Sequence, residues 1–151
     1  MSGIVFGLFV VLAGFSGALF QPGEWYDRLR KPSWNPPKWV FPVVWTILYV
    51  FIAVAGWLIW RTEGIGFALI VWCIQLVLNA SWSWLFFGLR RMDWAFWDVS
   101  GLLASIILFV VLAWPVSMYA AILFFPYIIW VCVAALLNWT VWSLNPNAVS
   151  A

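Results

Sequence analysis

The sequence has no histidine, little charge and few cysteines, and each shortage excludes a class of function. Without histidine the chain lacks the commonest metal ligand and the usual general base. Two cysteines, Cys73 and Cys132, are too few for a disulfide framework or a zinc site; both lie in apolar runs, so we expect them in the core. The net charge of +2 is too small for a nucleic-acid-binding surface. The sequence also has no P-loop, no dinucleotide-binding glycine pattern and no paired acidic transport site.

Hydrophobic residues make up 67% of the chain and charged residues only 8%. A soluble domain is about half apolar and about a quarter charged, so this chain requires lipid as its solvent. The uncharged stretches each exceed the roughly 20 residues that cross a bilayer as a helix. They are residues 1–23, 39–60, 64–89 and 99–151.

The last uncharged stretch is long enough for two crossings and breaks at Pro115, which lacks a backbone N–H. A β-barrel would require alternating segments of about ten residues, which are not present. We therefore predict an all-α integral membrane protein, a single domain over residues 1–151 with five transmembrane helices. The predicted helices are 3–20, 42–60, 65–89, 94–114 and 118–144, and loop 21–41 is predicted to act as a lid.

Basic residues concentrate in two of the connections. The first and third connections hold six of the seven, and the second holds only Arg61. The positive-inside bias predicts an N-terminus outside and a C-terminus in the cytoplasm, and we expect the membrane to be that of a bacterial cell. Ser16-Gly17-Ala18 loosely fits a signal-peptide cleavage site, but no basic stretch precedes it, so we expect a transmembrane helix. Its glycines predict close helix packing, inside the bundle or in a homodimer.

Most of the 15 tryptophans lie in loops or near helix ends, where indoles anchor a protein at the membrane interface. Trp72, Trp82 and Trp130 lie deeper, and Trp45 lies one turn inside its helix. These four have two interpretations. They either pack the bundle or form an aromatic wall around a flat apolar ligand.

Polar residues inside the predicted helices are few and costly unless they face the bundle or a cavity. Gln75, Asn79 and Ser83 recur at i, i+4 and i+8, so one face of helix 65–89 carries hydrogen-bonding groups and should point inward. The aromatic residues Trp72, Trp82 and Phe86 flank them at neighbouring helical spacings. Helix 118–144 carries a similar polar and aromatic stripe. Pro126 precedes this stripe in the sequence and predicts a kink in the helix. That stripe holds Tyr127, Trp130, Ala134 and Asn138. The alternative is that these groups only fix helix packing. For Asp98, about one turn after the start of helix 94–114, we expect pairing with a loop arginine.

The first loop mixes charges, aromatics and prolines, and Pro36-Pro37 stiffens its backbone towards polyproline II. It contains Trp25-Tyr26-Asp27 and Lys31-Pro32-Ser33-Trp34-Asn35-Pro36-Pro37. Later motifs are Trp45-Thr46-Ile47-Leu48-Tyr49, Leu78-Asn79-x-x-Trp82, Pro126-Tyr127-x-x-Trp130, Leu137-Asn138 and Asn145. Together, in this order and over nearly the whole chain, they resemble the TspO/MBR family of tryptophan-rich sensory proteins and translocator proteins.

The resemblance implies a five-helix bundle, often a homodimer, with a cavity under the first loop that binds porphyrins such as protoporphyrin IX and haem, or drug-like apolar molecules. The ligand-binding residues expected from the matching motifs and the polar stripes are Tyr26, Trp34, Trp45, Tyr49, Asn79, Trp82, Tyr127, Trp130 and Asn138. Porphyrin is expected as a ligand and not as an obligatory cofactor. Because the chain has no histidine to ligate iron, metal-free porphyrin fits its residues better than haem.

The expected function is porphyrin binding that serves sensing, regulation or transport. Some bacterial relatives degrade protoporphyrin in light, and Trp45 and Trp130 would be the catalytic residues if this chain did so. The third alternative is a structural bundle without a ligand. The cholesterol-recognition motif of eukaryotic relatives needs a basic residue at the end of the last helix, and this chain has none after Arg91.

Overall fold

The computed structural model describes residues 2–149, and these residues form seven α-helices. The helices are α1 (Ser2–Leu19), α2 (Glu24–Asp27), α3 (Val40–Glu63), α4 (Phe67–Ser83), α5 (Met92–Ala113), α6 (Met118–Leu123) and α7 (Phe125–Leu144). Five helical segments of the described chain are long and apolar enough to cross a membrane, α6 and α7 together forming the fifth. The predicted all-α membrane bundle is therefore confirmed, and each predicted helix matches one of these segments.

The third membrane segment differs from a regular helix at its end. After α4 the residues Trp84–Gly88 form a π-helical turn, in which the Leu89 N–H donates to the Trp84 carbonyl at 2.8 Å. The chain then leaves the helix through Arg90, whose φ of 55° lies in the left-handed region. The predicted helix 65–89 thus begins two residues later than expected and ends in a wider turn.

The fifth membrane segment is interrupted at Phe124, between α6 and α7. There the Phe124 N–H donates to Ala121 O at 3.1 Å, a tighter turn than an α-helix makes. Pro126 occupies the first turn of α7, where its missing N–H costs no hydrogen bond. Pro126 predicts a kink in this segment, and the structure interrupts the helix two residues before the proline, at Phe124. Tyr127, directly after the proline, has no exposed surface.

The helices pack as a closed ring of neighbours. α1 packs against α3 and α4, α4 against α5, α5 against α6 and α7, and α3 against α6. In the part of the chain that the structure describes, the backbones of α3 and α7 do not pack against each other in this way. Aromatic side chains of α3 and α7 meet in the space between those two helices.

Glycines permit the closest contacts within the bundle. A Cβ atom added to Gly14 of α1 would lie 2.8 Å from Tyr49 Cε2, and one added to Gly56 of α3 would lie 2.4 Å from Trp72 Cε2. Gly3 and Gly17 likewise face side chains of α3 and α4. The predicted packing inside the bundle is therefore confirmed for Gly3, Gly14 and Gly17 of α1 and not for Gly7, near which no side chain lies within 4 Å of an added Cβ. The homodimer is still a prediction.

Two of the sequence-based expectations are wrong. Cys73 and Cys132 are exposed on the outer surface of the bundle and not in its core. Asp98 does not pair with a loop arginine, because Arg91 bonds to the nearer Asp93 at 2.5 Å. One carboxylate oxygen of Asp98 is buried without a hydrogen-bond partner among the described residues.

Replacement of Gly56 by alanine should destabilise the bundle. Trp72 is 1% exposed, and its indole N–H donates to Ile52 O at 2.9 Å, so it cannot move aside freely. Overpacking of this kind costs about 1–3 kcal/mol. Thermal unfolding in detergent should show a lower midpoint for Gly56→Ala than for Gly7→Ala, whose added Cβ meets nothing within 4 Å. Equal midpoints would contradict the packing described here.

Candidate functional site

The candidate site lies between α3 and α7 and is called the inner site below. Its residues come from α3, α4 and α7, and they combine aromatic rings with hydrogen-bonding groups. They are Phe41, Trp45, Tyr49, Gln75, Asn79, Tyr127 and Trp130.

A chain of hydrogen bonds runs through the inner site. The Tyr49 hydroxyl donates to Asn79 Oδ1 at 3.1 Å, and Asn79 Nδ2 donates to the Tyr127 hydroxyl at 2.8 Å. The Tyr127 hydroxyl donates in turn to Gln75 Oε1 at 2.9 Å. Three of these four side chains are buried, and Tyr49 is only partly buried. These hydrogen bonds therefore join α3, α4 and α7, and they end at Tyr49, the one member that is only partly buried.

Aromatic rings surround this hydrogen-bonded chain. The ring of Trp45 stacks on that of Tyr49 with centroids 5.5 Å apart, and it meets the edge of Tyr127 at 6.2 Å. One turn nearer the loop, Phe41 meets Trp130 at 5.6 Å. The indole nitrogen of Trp130 is buried and has no hydrogen-bond partner among the described residues. The inner site thus offers flat apolar surfaces and two N–H donors without a partner among the described residues, at Trp130 Nε1 and at Gln75 Nε2.

A second group of rings, called the loop cluster, lies where the first loop meets the end of α4. Tyr26 of α2 packs against Phe86 at 6.1 Å and Phe87 at 5.5 Å, both in the π-helical turn. The Lys31 ammonium lies 4.5 Å from the Tyr26 ring centroid. Burial, with a smaller contribution from Asp27, raises the pKa of the Tyr26 hydroxyl, which therefore stays neutral.

Trp82 connects the loop cluster to the helices. Its ring lies 5.1 Å from Phe86, and its indole N–H donates to Asn138 Oδ1 at 3.0 Å. Asn138 Nδ2 donates to the Met92 carbonyl at 2.8 Å, which ties α7 to the start of α5. Trp82 and Asn138 hydrogen-bond with each other and so satisfy one another without a ligand.

The structure divides the predicted ligand-binding residues into three sets. Trp45, Tyr49, Asn79, Tyr127 and Trp130 meet in the inner site. Tyr26, Trp82 and Asn138 meet in or beside the loop cluster. Trp34 is 45% exposed in the loop, and among the described residues its indole makes no hydrogen bond or ring contact.

Two aromatic residues of these groups, Phe41 and Phe87, were not predicted, whereas Phe86 was expected on the inward face of its helix and is buried. For Phe41 a signal was present, because Phe41, Trp45 and Tyr49 recur at i, i+4 and i+8 on one helix face. Phe87 carried no comparable signal. Adjacent residues of a regular helix face different directions, and it is the π-helical turn that lets both rings meet Tyr26.

The charges of the first loop are mostly paired with each other. Arg28 bonds to Glu24 at 3.0 Å, and Lys38 bonds to Asp27 at 2.6 Å, which holds the pKa of the Asp27 carboxyl below its usual range. Arg30, by contrast, has no acidic partner among the described residues. It is therefore a basic side chain near the loop that is free to bind an external anion.

Asn145, just beyond α7, holds the loop through the backbone of Arg30. Asn145 Oδ1 accepts from the Arg30 N–H at 2.9 Å, and Asn145 Nδ2 donates to the Arg30 carbonyl at 2.8 Å. The same Nδ2 donates to Val141 O at 2.7 Å, which fixes the amide on its helix. This paired contact joins residues that are 115 positions apart in the sequence and anchors the loop to the end of the fifth crossing.

Asn145→Ala should loosen the loop. The substitution removes both bonds to Arg30, so trypsin should cleave after Arg28 and Arg30 faster than in the wild type. The control is Asn147→Ala, since Asn147 is exposed and makes no described side-chain hydrogen bond. Peptide mapping of detergent-solubilised protein measures the rate. Unchanged cleavage in Asn145→Ala would show that the loop is held by other contacts.

Tyr127→Phe should destabilise the protein, because it leaves Gln75 Oε1 and Asn79 Nδ2 unpaired in the interior. Such a loss costs about 1–3 kcal/mol. Tyr119→Phe removes a hydroxyl from a side chain that is 72% exposed and should change little. Unfolding curves of both variants in one detergent measure the difference. Equal stability of the two variants would mean that the buried chain contributes nothing.

Known proteins similar to this chain point to one family. A model of the TspO/MBR family matches residues 6–143. Protein CrtK of Rhodobacter capsulatus is 41% identical over 139 residues, covering 89% of this chain and 87% of that protein. A tryptophan-rich sensory protein of Cereibacter sphaeroides is 40% identical over 136 residues, with 90% and 86% covered. The human translocator protein is 40% identical over 147 residues, with 89% and 84% covered. The chain therefore belongs to the TspO/MBR family.

Proposed function

We propose that this membrane protein binds a tetrapyrrole, with metal-free protoporphyrin IX as the preferred ligand, in the inner site. Occupancy of the site would then serve sensing, regulation or transport of porphyrins. The observation that carries this proposal is the unpaired indole N–H of Trp130, buried among aromatic rings between two helices whose backbones do not pack together.

The aromatic rings provide the apolar part of recognition. A porphyrin is a flat aromatic macrocycle, and it can stack on indole and phenol planes such as those of Trp45 and Tyr49. Each aromatic contact contributes about 0.5–1.5 kcal/mol beyond burial of area. Several rings must therefore act together, which agrees with the concentration of Phe41, Trp45, Tyr49 and Trp130 on the facing sides of α3 and α7.

The unpaired donor provides the polar part. Buried polar groups in proteins nearly always have a hydrogen-bond partner, and leaving one unpaired costs about 1–3 kcal/mol. A ligand that brings an acceptor to Trp130 Nε1 would remove this cost. A porphyrin carries acceptors in its carboxylates and its unprotonated ring nitrogens, so its chemistry fits this requirement.

Charge supports the same ligand class. The two propionates of a porphyrin are anionic, and the end of the bundle that carries the first loop is rich in basic residues. Arg28 and Lys38 are already paired with acids, so Arg30 and Lys31 are the cations of the first loop left to bind a propionate. Iron ligation has weaker support, because the Tyr49 hydroxyl is bonded to Asn79 and the chain has no histidine.

Binding requires the inner site to open. The rings of Trp45, Tyr49 and Tyr127 contact one another, and two clefts that the structure outlines lie elsewhere, one beside Asn145 and one between α1 and α4. A macrocycle would therefore have to separate these rings as it enters. Rings that bridge two helices yield more easily than a packed backbone contact, because side chains change rotamer without unfolding a helix.

Relatives named tryptophan-rich sensory protein and translocator protein agree with a role in sensing or transport. We also propose that the chain lies with its N-terminus outside and its basic first loop in the cytoplasm, as the distribution of basic residues predicts. In that orientation the loop end of the inner site would take up porphyrin from the cytoplasmic side.

The test is a titration of protoporphyrin IX into the protein in nanodiscs, followed by the Soret absorbance of the porphyrin. Trp130→Phe keeps an aromatic ring and loses the N–H, so we expect a Kd about threefold to tenfold weaker, the value of one hydrogen bond. Trp45→Leu should weaken binding at least as much through loss of stacking. Trp97→Phe is the control, since Trp97 is 70% exposed. Equal affinities in all four proteins would contradict binding at the inner site.

A further inference from the structure

The buried end of the hydrogen-bonded chain has an unusual property. Gln75 is completely buried, its Oε1 accepts from Tyr127, and its Nε2 has no partner among the described residues. The hydrogen-bonded side chains alternate between phenol and amide. Each hydrogen bond therefore joins an amide to a phenol, whose hydroxyl can both donate and accept. Such a chain can run in either direction.

In the direction that the structure shows, Tyr49 donates to Asn79 and its oxygen remains able to accept a bond from elsewhere. Rotating the side-chain amides of Asn79 and Gln75 by 180° exchanges their oxygen and nitrogen atoms and leaves the shapes of the side chains unchanged. Gln75 Nε2 would then donate to Tyr127, Tyr127 to Asn79 Oδ1, and Asn79 Nδ2 to Tyr49. The number of hydrogen bonds is the same, and the Tyr49 proton becomes free.

Both directions leave one atom of Gln75 unpaired, the nitrogen in the first and the oxygen in the second. The two directions therefore differ little in the number of satisfied groups. The two directions differ in the hydrogen bond that the Tyr49 hydroxyl can still make. Tyr49 is the one member that is only partly buried, and it stacks on Trp45. In one direction Tyr49 can accept a hydrogen bond from a ligand, and in the other it can donate one.

We infer that Gln75 is a positioning residue that lets the inner site bind ligands bearing either a donor or an acceptor, by permitting the hydrogen-bonded chain to reverse. This inference rests on the proposed ligand site, because Gln75 acts on the ligand only through Tyr127, Asn79 and Tyr49. Its side chain is completely buried, and we assign it no contact with the ligand.

The inference predicts what happens when Gln75 is replaced by leucine. Without Gln75 Oε1, the Tyr127 hydroxyl finds its acceptor at Asn79 Oδ1, and Asn79 Nδ2 then donates to Tyr49. The substitution therefore holds the chain in the second direction, in which Tyr49 is a donor. Ligands with an acceptor should gain affinity relative to ligands with a donor.

The test uses two flat tricyclic probes of nearly equal size, 9-fluorenone with an acceptor carbonyl and carbazole with a donor N–H. Their Kd values are measured by titration calorimetry on the full chain in nanodiscs, with empty nanodiscs to subtract partition into lipid. We expect Gln75→Leu to shift the ratio of the two Kd values about threefold to tenfold in favour of fluorenone, the value of one hydrogen bond. In a Tyr49→Phe background the same substitution should leave the ratio unchanged.

The control is Leu76→Ala, which disturbs packing at the neighbouring buried position of α4 and does not touch the chain of hydrogen bonds. A purely structural role for Gln75 would weaken both probes together, as we expect for Leu76→Ala, and an unchanged ratio in Gln75→Leu would overturn the inference while leaving the proposed function intact. If neither the probes nor protoporphyrin IX bound the wild-type protein, the proposed function would fail and this inference with it.

Discussion

Inside a bilayer there is no water to satisfy a polar side chain, so each polar group in a membrane bundle needs a partner from the protein or from a ligand. The hydrogen bonds that Asn79 accepts from Tyr49 and donates to Tyr127 meet this constraint and join three membrane-spanning segments. Because lipid offers helices no hydrophobic reason to associate, such bonds and close glycine contacts do more of the work than apolar burial. Among the described membrane segments Gln75, Asp98 and Trp130 each carry a buried polar atom without a protein partner, and the proposed ligand site rests on that of Trp130.

Two further contacts hold the first loop against the end of the bundle where α4 and α7 end. Tyr26 inserts against the rings at the end of α4, and the Asn145 amide binds the backbone of Arg30. The loop is thus held at two points by groups that belong to different membrane segments. An opening of the inner site for a macrocycle can begin from this end, since the side chains of Phe41 and Trp130 lie nearest to it.

The membrane segments could be predicted from the sequence because charges mark their ends, and Gln75 and Asn79 because their spacing puts them on one helix face. The exposed positions of Cys73 and Cys132 could not be predicted. In a soluble protein an apolar residue indicates the core, but lipid is as apolar as leucine, so hydrophobicity does not separate the outer surface of a membrane bundle from its inside.

The finer contacts of the site also lay beyond sequence reasoning. Nothing local indicates that the helix ending at Gly88 widens into a π-helical turn, and so the partners of Tyr26 were not predictable. The contact between Arg30 and Asn145 spans most of the chain and uses only the backbone of Arg30, so no side-chain pattern reveals it. Trp45, Tyr49, Asn79, Tyr127 and Trp130 were predicted but Phe41 was not, and the direction and the unpaired ends of the hydrogen bonds required the structure.

The most direct test of a ligand site between α3 and α7 is nuclear magnetic resonance of the indole N–H groups in uniformly ¹⁵N-labelled protein, with Trp130 and Trp97 assigned by single Trp→Phe variants. On addition of protoporphyrin IX the Trp130 resonance should shift, because its unpaired N–H gains an acceptor and lies beside the macrocycle, while that of exposed Trp97 should stay in place. A porphyrin that shifts only exposed indoles and leaves Trp130 unchanged would show that it binds the outside of the bundle, and would contradict the account.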